Sequence, residues 1–304
     1  MLPFRSTIPL SCCVSVRRQM AMHKREDLPE DRHKDPGSSN GLASWQTVKW
    51  SGQAHASAVE IIAEEKALTL YVNEEEFATV LCSPLALEPL VYGFLASEGV
   101  IRTAGEVKQV RIDPGRGTAH ISLHAPLSPD KRATSKRFVG SCCGKSREFY
   151  FQHDVRTAKT FTRQLNLSAA ACYRLMEWLE ANSSGFAMTG GLHNAGLCTV
   201  EKGLFVHSDI GRHNALDKVF GTCLMEQIPA GDKIIAFSGR LSSEVILKAA
   251  KIGVGAIISR SAPTDLALRL AKDLGMTAVG FARSGQMNAY THGERIQADV
   301  ESRE

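Results

Sequence analysis

Three short apolar runs, KIIAF (233–237), GAII (255–258) and TAVGF (277–281), are separated by stretches of helical pattern at 241–251 and 264–274. Strands joined in this way pair in parallel, because each crossover helix returns the chain to the end from which it started. The alternation therefore predicts an α/β fold for the second half of the chain. The helix at 264–274 is the best marked: Pro263 stands at its entrance, Leu266, Leu270 and Leu274 share a face, and Gly275 follows as a stop. Another helical pattern occupies 167–182. Upstream, SAVEIIAEE, ALTLYVN and EFATVLC (56–82) read as strands of a meander. Leu87, Leu90, Val91, Phe94, Leu95 and Glu98 then mark an amphipathic helix over 85–99, and EVKQVRI and TAHISLH flank the turn DPGRG. No internal repeat is found.

Each strand-like run of the second half leads into small residues and an arginine: Ser238-Gly239-Arg240, Ser259-Arg260-Ser261, and Ala282-Arg283-Ser284-Gly285. In open α/β sheets the ligand crevice lies outside the carboxyl ends of the strands, where glycine admits close backbone approach and helix N-termini favour anions. A fourth arginine comes from Asp209-Ile210-Gly211-Arg212-His213-Asn214-Ala215-Leu216-Asp217, where Asn214 is expected to cap a helix and Asp217 to stand at the capping-box position. One such loop alone is an ordinary polar loop. Their recurrence at equivalent places points to an anionic, nucleotide-like ligand, since guanidinium groups suit phosphate oxygens. Neither GxxxxGK[ST] nor GxGxxG occurs, which removes P-loop ATPases and standard dinucleotide folds.

Eight cysteines stand at 12, 13, 82, 142, 143, 172, 198 and 223, without disulfide or zinc spacing, as expected of free thiols in a reducing compartment. Cys142 and Cys143 lie in KRATSKRFVGSCCGKSR (131–147), which has six basic residues and no acidic one. Neighbouring cations favour the thiolate, so this pair holds the best nucleophile candidates; the plainer reading is a solvated basic loop with incidental thiols. Adjacent Cα atoms are about 3.8 Å apart, below the usual disulfide span of about 4.4–6.8 Å, which favours a carrier thiol over a dithiol oxidoreductase. Cysteines 82, 172, 198 and 223 read as core residues.

The 43% hydrophobic content of 304 residues can fill a sizeable core, and a formal charge of +4 does not by itself indicate nucleic acid. The basic stretch also lacks interleaved aromatics, so no nucleic-acid partner is expected. No apolar run approaches the roughly 20 residues of a membrane span. The opening MLPFRSTIPLSCCVSVRRQM lacks a cleavage site, and a cytoplasmic protein is expected. The charged, Pro/Gly/Ser-rich stretch after it makes 1–43 an expected flexible tail. A strand-rich α+β region should follow over 44–125, then a mobile basic loop at 126–147 and a C-terminal α/β domain at 148–304.

With these residues assembled, the chain resembles the formate dehydrogenase accessory protein family from about 55 to 297. The resemblance is carried by EPLVYGFLASEGVI (88–101), GSCCGKSR (140–147), FAMTGGLHNAGL (186–197), SDIGRHNALDKVFG (208–221), FSGRLSSEVILKAAKIGV (237–254), ISRSAPTDLALRLAKDLGMTAVGFAR (258–283) and YTHGERI (290–296). It implies a cytidine-deaminase-like α/β fold, a homodimer, and a sulfurtransferase with no tightly bound metal of its own. Sulfur would come as a persulfide from a cysteine desulfurase and pass to the molybdenum bis(molybdopterin guanine dinucleotide) cofactor, bound as substrate, before that cofactor enters formate dehydrogenase. The resemblance assigns Phe281, Ala282, Arg283, Ser284, Gly285 and Gln286 to cofactor binding. Arg212, His213, Ser238, Gly239, Arg240, Ser259, Arg260 and His193 join them as expected contacts.

Many members carry S-C-G-x-C-G where this chain has Ser141-Cys142-Cys143-Gly144-Lys145. An ungapped match on the Cys-Gly step makes Cys143 the first cysteine of that motif, with Ser146 in place of the second; a two-residue deletion instead preserves both as Cys142 and Cys143. The former is favoured here, with Cys143 as carrier and Cys142 as auxiliary thiol. A chaperone that holds the cofactor without using its cysteines is the alternative. A zinc deaminase needs an H-x-E helix start together with P-C-x-x-C; the chain has no P-C-x-x-C, and His193-Asn194-Ala195 lacks the glutamate.

Overall fold

The computed structural model describes residues 41–126, 159–161 and 165–298, with the backbone alone of 137–139. Residues 1–40 of the tail expected over 1–43, and most of the basic loop expected over 126–147, with Cys142 and Cys143, lie outside the described residues. At Leu42 the chain is already in a strand: β1 (Leu42–Ser51) pairs antiparallel with β2 (Ala54–Ala63) through a Gly52-Gln53 loop. Gly52 has φ 64°, a conformation that tight hairpin loops reserve for glycine. This ribbon is a sheet of its own. The expected meander over 56–82 is thus corrected, because β2 pairs with the strand before it. SWQTVKW, which precedes β2, has the aromatic and β-branched content of a strand.

A second hairpin, β3 (Lys66–Val72) and β4 (Glu75–Cys82), precedes helix α1 (Leu87–Ser97). Strands β5 (Val107–Asp113), β6 (Thr118–Leu123) and β7 (Arg137–Val139) complete a five-stranded sheet in the order β5-β6-β3-β4-β7. Leu68, Leu70 and Val80 of that sheet share one apolar cluster with Leu90, Val91, Phe94 and Leu95 of α1.

The second half opens with the short β8 (Leu167–Ser168) and α2 (Ala169–Ala181), whose N-cap Ser168 accepts a hydrogen bond from the Ala171 amide. Next come α3 (Ser184–Thr189), β9 (His193–Cys198), β10 (Gly203–Asp209), α4 (Arg212–Met225), β11 (Ile234–Phe237) and α5 (Ser243–Ile252). The chain continues through β12 (Ala256–Ser259), α6 (Asp265–Asp273), β13 (Thr277–Arg283), β14 (Gln286–Thr291) and β15 (Ile296–Gln297).

Strands β11, β12 and β13 pair in parallel as their crossover helices require. The β9–β10 hairpin joins antiparallel on one side and β14 on the other, giving the order β10-β9-β11-β12-β13-β14 and a mixed α/β fold. All four residues of β11 are buried, on alternate faces. Ile234 and Ala236 cluster with Leu175 and Leu179 of α2, whereas Ile235 and Phe237 cluster with residues of α4 and α5. A strand covered on both faces must be apolar throughout, and each large side chain so buried contributes about 1.5–3 kcal/mol.

On α6 the buried positions are Ala267 and Ala271, while Leu266 is 47% exposed, so the inward face is one residue around from the expected leucine row, of which only the C-cap Leu274 is buried. Helices α1 and α4 meet backbone to backbone. A Cβ on Gly93 would lie 1.7 Å from the Asp217 carbonyl oxygen, and one on Gly221 would lie 1.8 Å from that of Pro89. This contact brings both large sheets onto one core. Among the described residues no helix is long and apolar enough to cross a membrane.

Candidate functional site

The carboxyl ends of β11, β12 and β13 open on one edge of the six-stranded sheet. Because β9 runs antiparallel to β11, with Ala195 opposite Phe237, its first residue, His193, reaches the same edge. The loops there are stitched together by hydrogen bonds. The Ser238 amide donates to the Asn194 carbonyl (3.0 Å), the Asn194 amide donates to Ser238 Oγ (2.8 Å), and Ser208 Oγ donates to Asn194 Oδ1 (2.6 Å). Ser259, fully buried, donates from Oγ to the Gly239 carbonyl (2.7 Å) and accepts from the Ser261 amide (3.0 Å). Ser238 and Ser259 therefore shape the loops.

Helix α4 begins at this edge. Its N-cap is Gly211, and Asn214 lies inside the first turn, which corrects the expected Asn214 cap. The reason is Asp209, whose Oδ1 accepts from the Gly211 amide (2.7 Å) and from Asn214 Nδ2 (2.9 Å) and so turns the chain before Asn214 is reached. Oδ2 of Asp209 accepts from the Ser83 amide (3.1 Å) and pairs with Lys218 Nζ at 2.6 Å, both side chains being fully buried. Asp217 forms no capping box; it pairs with Lys248 and accepts from Ser97 Oγ (2.6 Å). Sequence reasoning missed Asp209, Lys218 and Asn194 as organisers of the site. The available signal was Lys218 itself, a charge set among Ala215, Leu216, Val219 and Phe220 and lined up at four-residue steps with Asn214 and Thr222.

Of the four arginines expected here, Arg212 is the most enclosed. Its Nε is buried without a hydrogen-bond partner, and its Cβ would lie 3.4 Å from a Cβ built on Gly239. A guanidinium beside glycine backbone and a helix N-terminus offers donors and positive potential to an anion. Burial, then Arg212, lowers the pKa of His193 against a smaller opposing effect of Asp209, so its ring meets a ligand as a neutral hydrogen-bonding group. Arg240 and Arg283 are exposed at their strand ends. Arg260 instead pairs with Glu180 of α2 at 2.6 Å, and His213 Nε2 lies 3.3 Å from Glu244 Oε2.

The segment 281–286 closes the edge as a tight turn. Phe281, Ser284 and Gly285 have φ of 54°, 50° and 71°. A left-handed phenylalanine is uncommon and costs of order 1–3 kcal/mol. The Phe281 amide is held by the Ser261 carbonyl (3.2 Å), while its ring stays 36% exposed. Ala282 is buried, and Gln286 begins the return strand.

The four described cysteines are buried. Burial pushes the pKa values of Cys82, Cys198 and Cys223 up to about 12, which keeps them as inert thiols. No three His, Cys, Asp or Glu side chains among the described residues gather as metal ligands.

A part-buried histidine beside the site sets an acid limit. Burial, then Lys218, pushes the pKa of His207 from 6.5 down to about 3, and its Nε2 lies 2.7 Å from Thr222 Oγ1. The unfolded chain takes up a proton near 6.5 that the folded chain refuses until about 3. Stability is therefore complete above pH 6.5 and falls as pH drops through that window. Urea titrations at pH 7 and pH 5 should differ by about 2 kcal/mol, and His207→Gln should remove most of the difference. Equal stability of wild type at the two pH values contradicts a neutral His207.

A family model described as the FdhD/NarQ family matches residues 63–297. The sulfur carrier protein FdhD of Geobacillus kaustophilus is 55% identical over 235 residues, covering 77% of this chain and 89% of its own. That of Bacillus subtilis is 52% identical over 246 residues, covering 81% and 94%. The crystal structure of a candidate formate dehydrogenase accessory protein from Desulfotalea psychrophila is 25% identical with a TM-score of 0.69, over 84% of this chain and 99% of that one.

Proposed function

The chain belongs to the FdhD/NarQ family, and on that premise we propose that it is a cytoplasmic sulfur carrier serving formate dehydrogenase. In this reading its fold is a cytidine-deaminase-like variant of the α/β class. Cys143 is the carrier thiol and Cys142 its auxiliary. The sulfur donor is a cysteine desulfurase, and the acceptor is the molybdenum bis(molybdopterin guanine dinucleotide) cofactor held as substrate.

The observation that carries this reading is Arg212, whose buried Nε lacks an acceptor at the edge where Gly239, His193 and the α4 N-terminus meet. A ligand bearing several phosphates supplies acceptors for that nitrogen and for the exposed Arg240 and Arg283. The turn 281–286 borders the same edge. The inertness of the buried cysteines favours the pair in the basic stretch as the reactive one.

In the loading step the Cys143 thiolate attacks the outer sulfur of the donor persulfide. The donor's S–S bond breaks, the donor leaves as a thiolate, and a new S–S bond forms on Cys143. Delivery of that sulfur as sulfide takes two electrons, supplied by a thiol that ends as a disulfide.

Intact mass spectrometry after incubation with a cysteine desulfurase and cysteine tests the reading. Wild type and Cys142→Ala should gain one reductant-sensitive sulfur atom, and Cys143→Ala should gain none. A gain lost only in Cys142→Ala reverses the two roles. No gain in any variant, with an active desulfurase, replaces the carrier by a cofactor-holding chaperone.

A further inference from the structure

Arg260 has its backbone in the middle of the arginine edge and its side chain turned away from it. Its amide donates to the Phe237 carbonyl (3.1 Å). The residues on either side are tied in too, Ser259 to the Gly239 carbonyl and Ser261 to the Phe281 amide. Side chains alternate along β12: Ile257 belongs to the cluster on the α4 and α5 side, and Ile258 to the cluster with α2. Arg260, two residues past Ile258, follows it toward α2. There its Nη1 lies 2.6 Å from Glu180 Oε1.

Glu180 stands where a helix does not favour it. It is the last residue but one of α2, close to the unpaired carbonyls of the helix end, and the last turn of α2 holds no basic residue. The cation that offsets it comes from the loop after β12. The two side chains are 43% and 47% exposed, so their pairing shifts an equilibrium by no more than about fivefold. A phosphate group offers the guanidinium the same pair of acceptor oxygens with more charge. Because the backbone of Arg260 is pinned, exchange of one acceptor for the other needs only rotation of its side chain.

We propose that Glu180 is an internal stand-in for the ligand: its carboxylate holds Arg260 on the α2 side, and a ligand bearing a pyrophosphate group displaces it. The inference rests on the reading of this edge as the site of a phosphate-bearing ligand. Its consequence is a capped affinity. The free energy spent in parting Arg260 from Glu180 is subtracted from binding, and the carboxylate recaptures the guanidinium as the ligand leaves. A protein that hands its cargo on gains from such a competitor, because release is as necessary to it as capture.

Isothermal titration of the full chain with pyrophosphate at low ionic strength tests the proposal. Glu180→Gln keeps the shape of the side chain and removes its charge; it should lower the dissociation constant about two- to fivefold. Arg260→Ala should raise it about fivefold, and adding Glu180→Gln to Arg260→Ala should change nothing further. Glu177→Gln removes the same charge from an exposed position one turn earlier on α2 and should leave the constant where it stands. Equal tightening by Glu180→Gln with and without Arg260, or by Glu177→Gln, overturns the proposal by making the effect one of net charge alone. If Arg212→Ala weakens pyrophosphate binding while Glu180→Gln does not alter it, the reading of the site stands and this inference alone is lost. If neither wild type nor Glu180→Gln takes up pyrophosphate, both are lost together.

Discussion

Gly221→Ala should destabilise the protein by at least about 3 kcal/mol and lower its melting temperature by roughly 10 °C. The added Cβ would sit 1.8 Å from the Pro89 carbonyl oxygen and 2.6 Å from its carbon. Both are backbone atoms, so no rotamer change relieves the contact. The helices must separate instead, and that pulls Val91 and Phe94 of α1 away from the core they share with Ala215 and Val219 of α4. Close packing makes even a small separation costly over so many contacts. Gly93→Ala meets the same obstacle from the other helix, 1.7 Å from the Asp217 oxygen. Gly231→Ala is the control, because nothing lies within 4 Å of its Cβ and its φ is not positive; it should be neutral or slightly stabilising. Thermal melts of the three variants check this. A Gly221→Ala melt matching that of Gly231→Ala would sink the idea that the two helices need bare backbone between them.

That helix contact shows how the legible and illegible parts of the fold divide. The helical pattern at 85–99 follows from residues three and four apart, and α1 occupies 87–97. The parallel order of β11, β12 and β13 follows from connections long enough to cross over. Such signals are local. What α1 packs against is not local: Gly93 and Gly221 mark it, yet an isolated glycine in a helical pattern reads only as a weak spot until its partner is known. The same holds for β1, which borders a charged stretch and has its pairing partner on the far side of a turn.

In the site, the strand order placed the arginine loops on one edge because crossover topology leaves little choice. Side-chain direction escaped the sequence. Arg260 follows its strand like the others, but Glu180 of α2 is within reach and draws it aside. Asn214 has the chemistry of a cap and loses the position to Asp209, whose carboxylate captures the Gly211 amide first.

Lys218→Met should cost about 3–5 kcal/mol, because it leaves the fully buried Asp209 carboxylate without its countercharge. Asp209 would keep the Ser83 and Gly211 amides and Asn214 Nδ2 as donors, which stabilise but do not neutralise it. The lost ammonium also donates to the Ser208 and Ser83 carbonyls, so two further acceptors lose a partner. Pairing the change with Asp209→Asn removes the stranded charge and should recover part of the loss in urea titrations, since an amide can still accept from Gly211. If the double variant is less stable than Lys218→Met by the full cost of Asp209→Asn alone, the two residues are not coupled and the ion pair does not organise the start of α4. A second readout separates charge from packing. Lys218 is the second cause of the low pKa of His207, so its removal lets that ring protonate at higher pH. The loss of stability on acidification from pH 7 to pH 3 should then shrink, because the folded chain takes up the proton earlier on the way down. A purely steric role for Lys218 predicts an unchanged pH dependence beneath the lower stability.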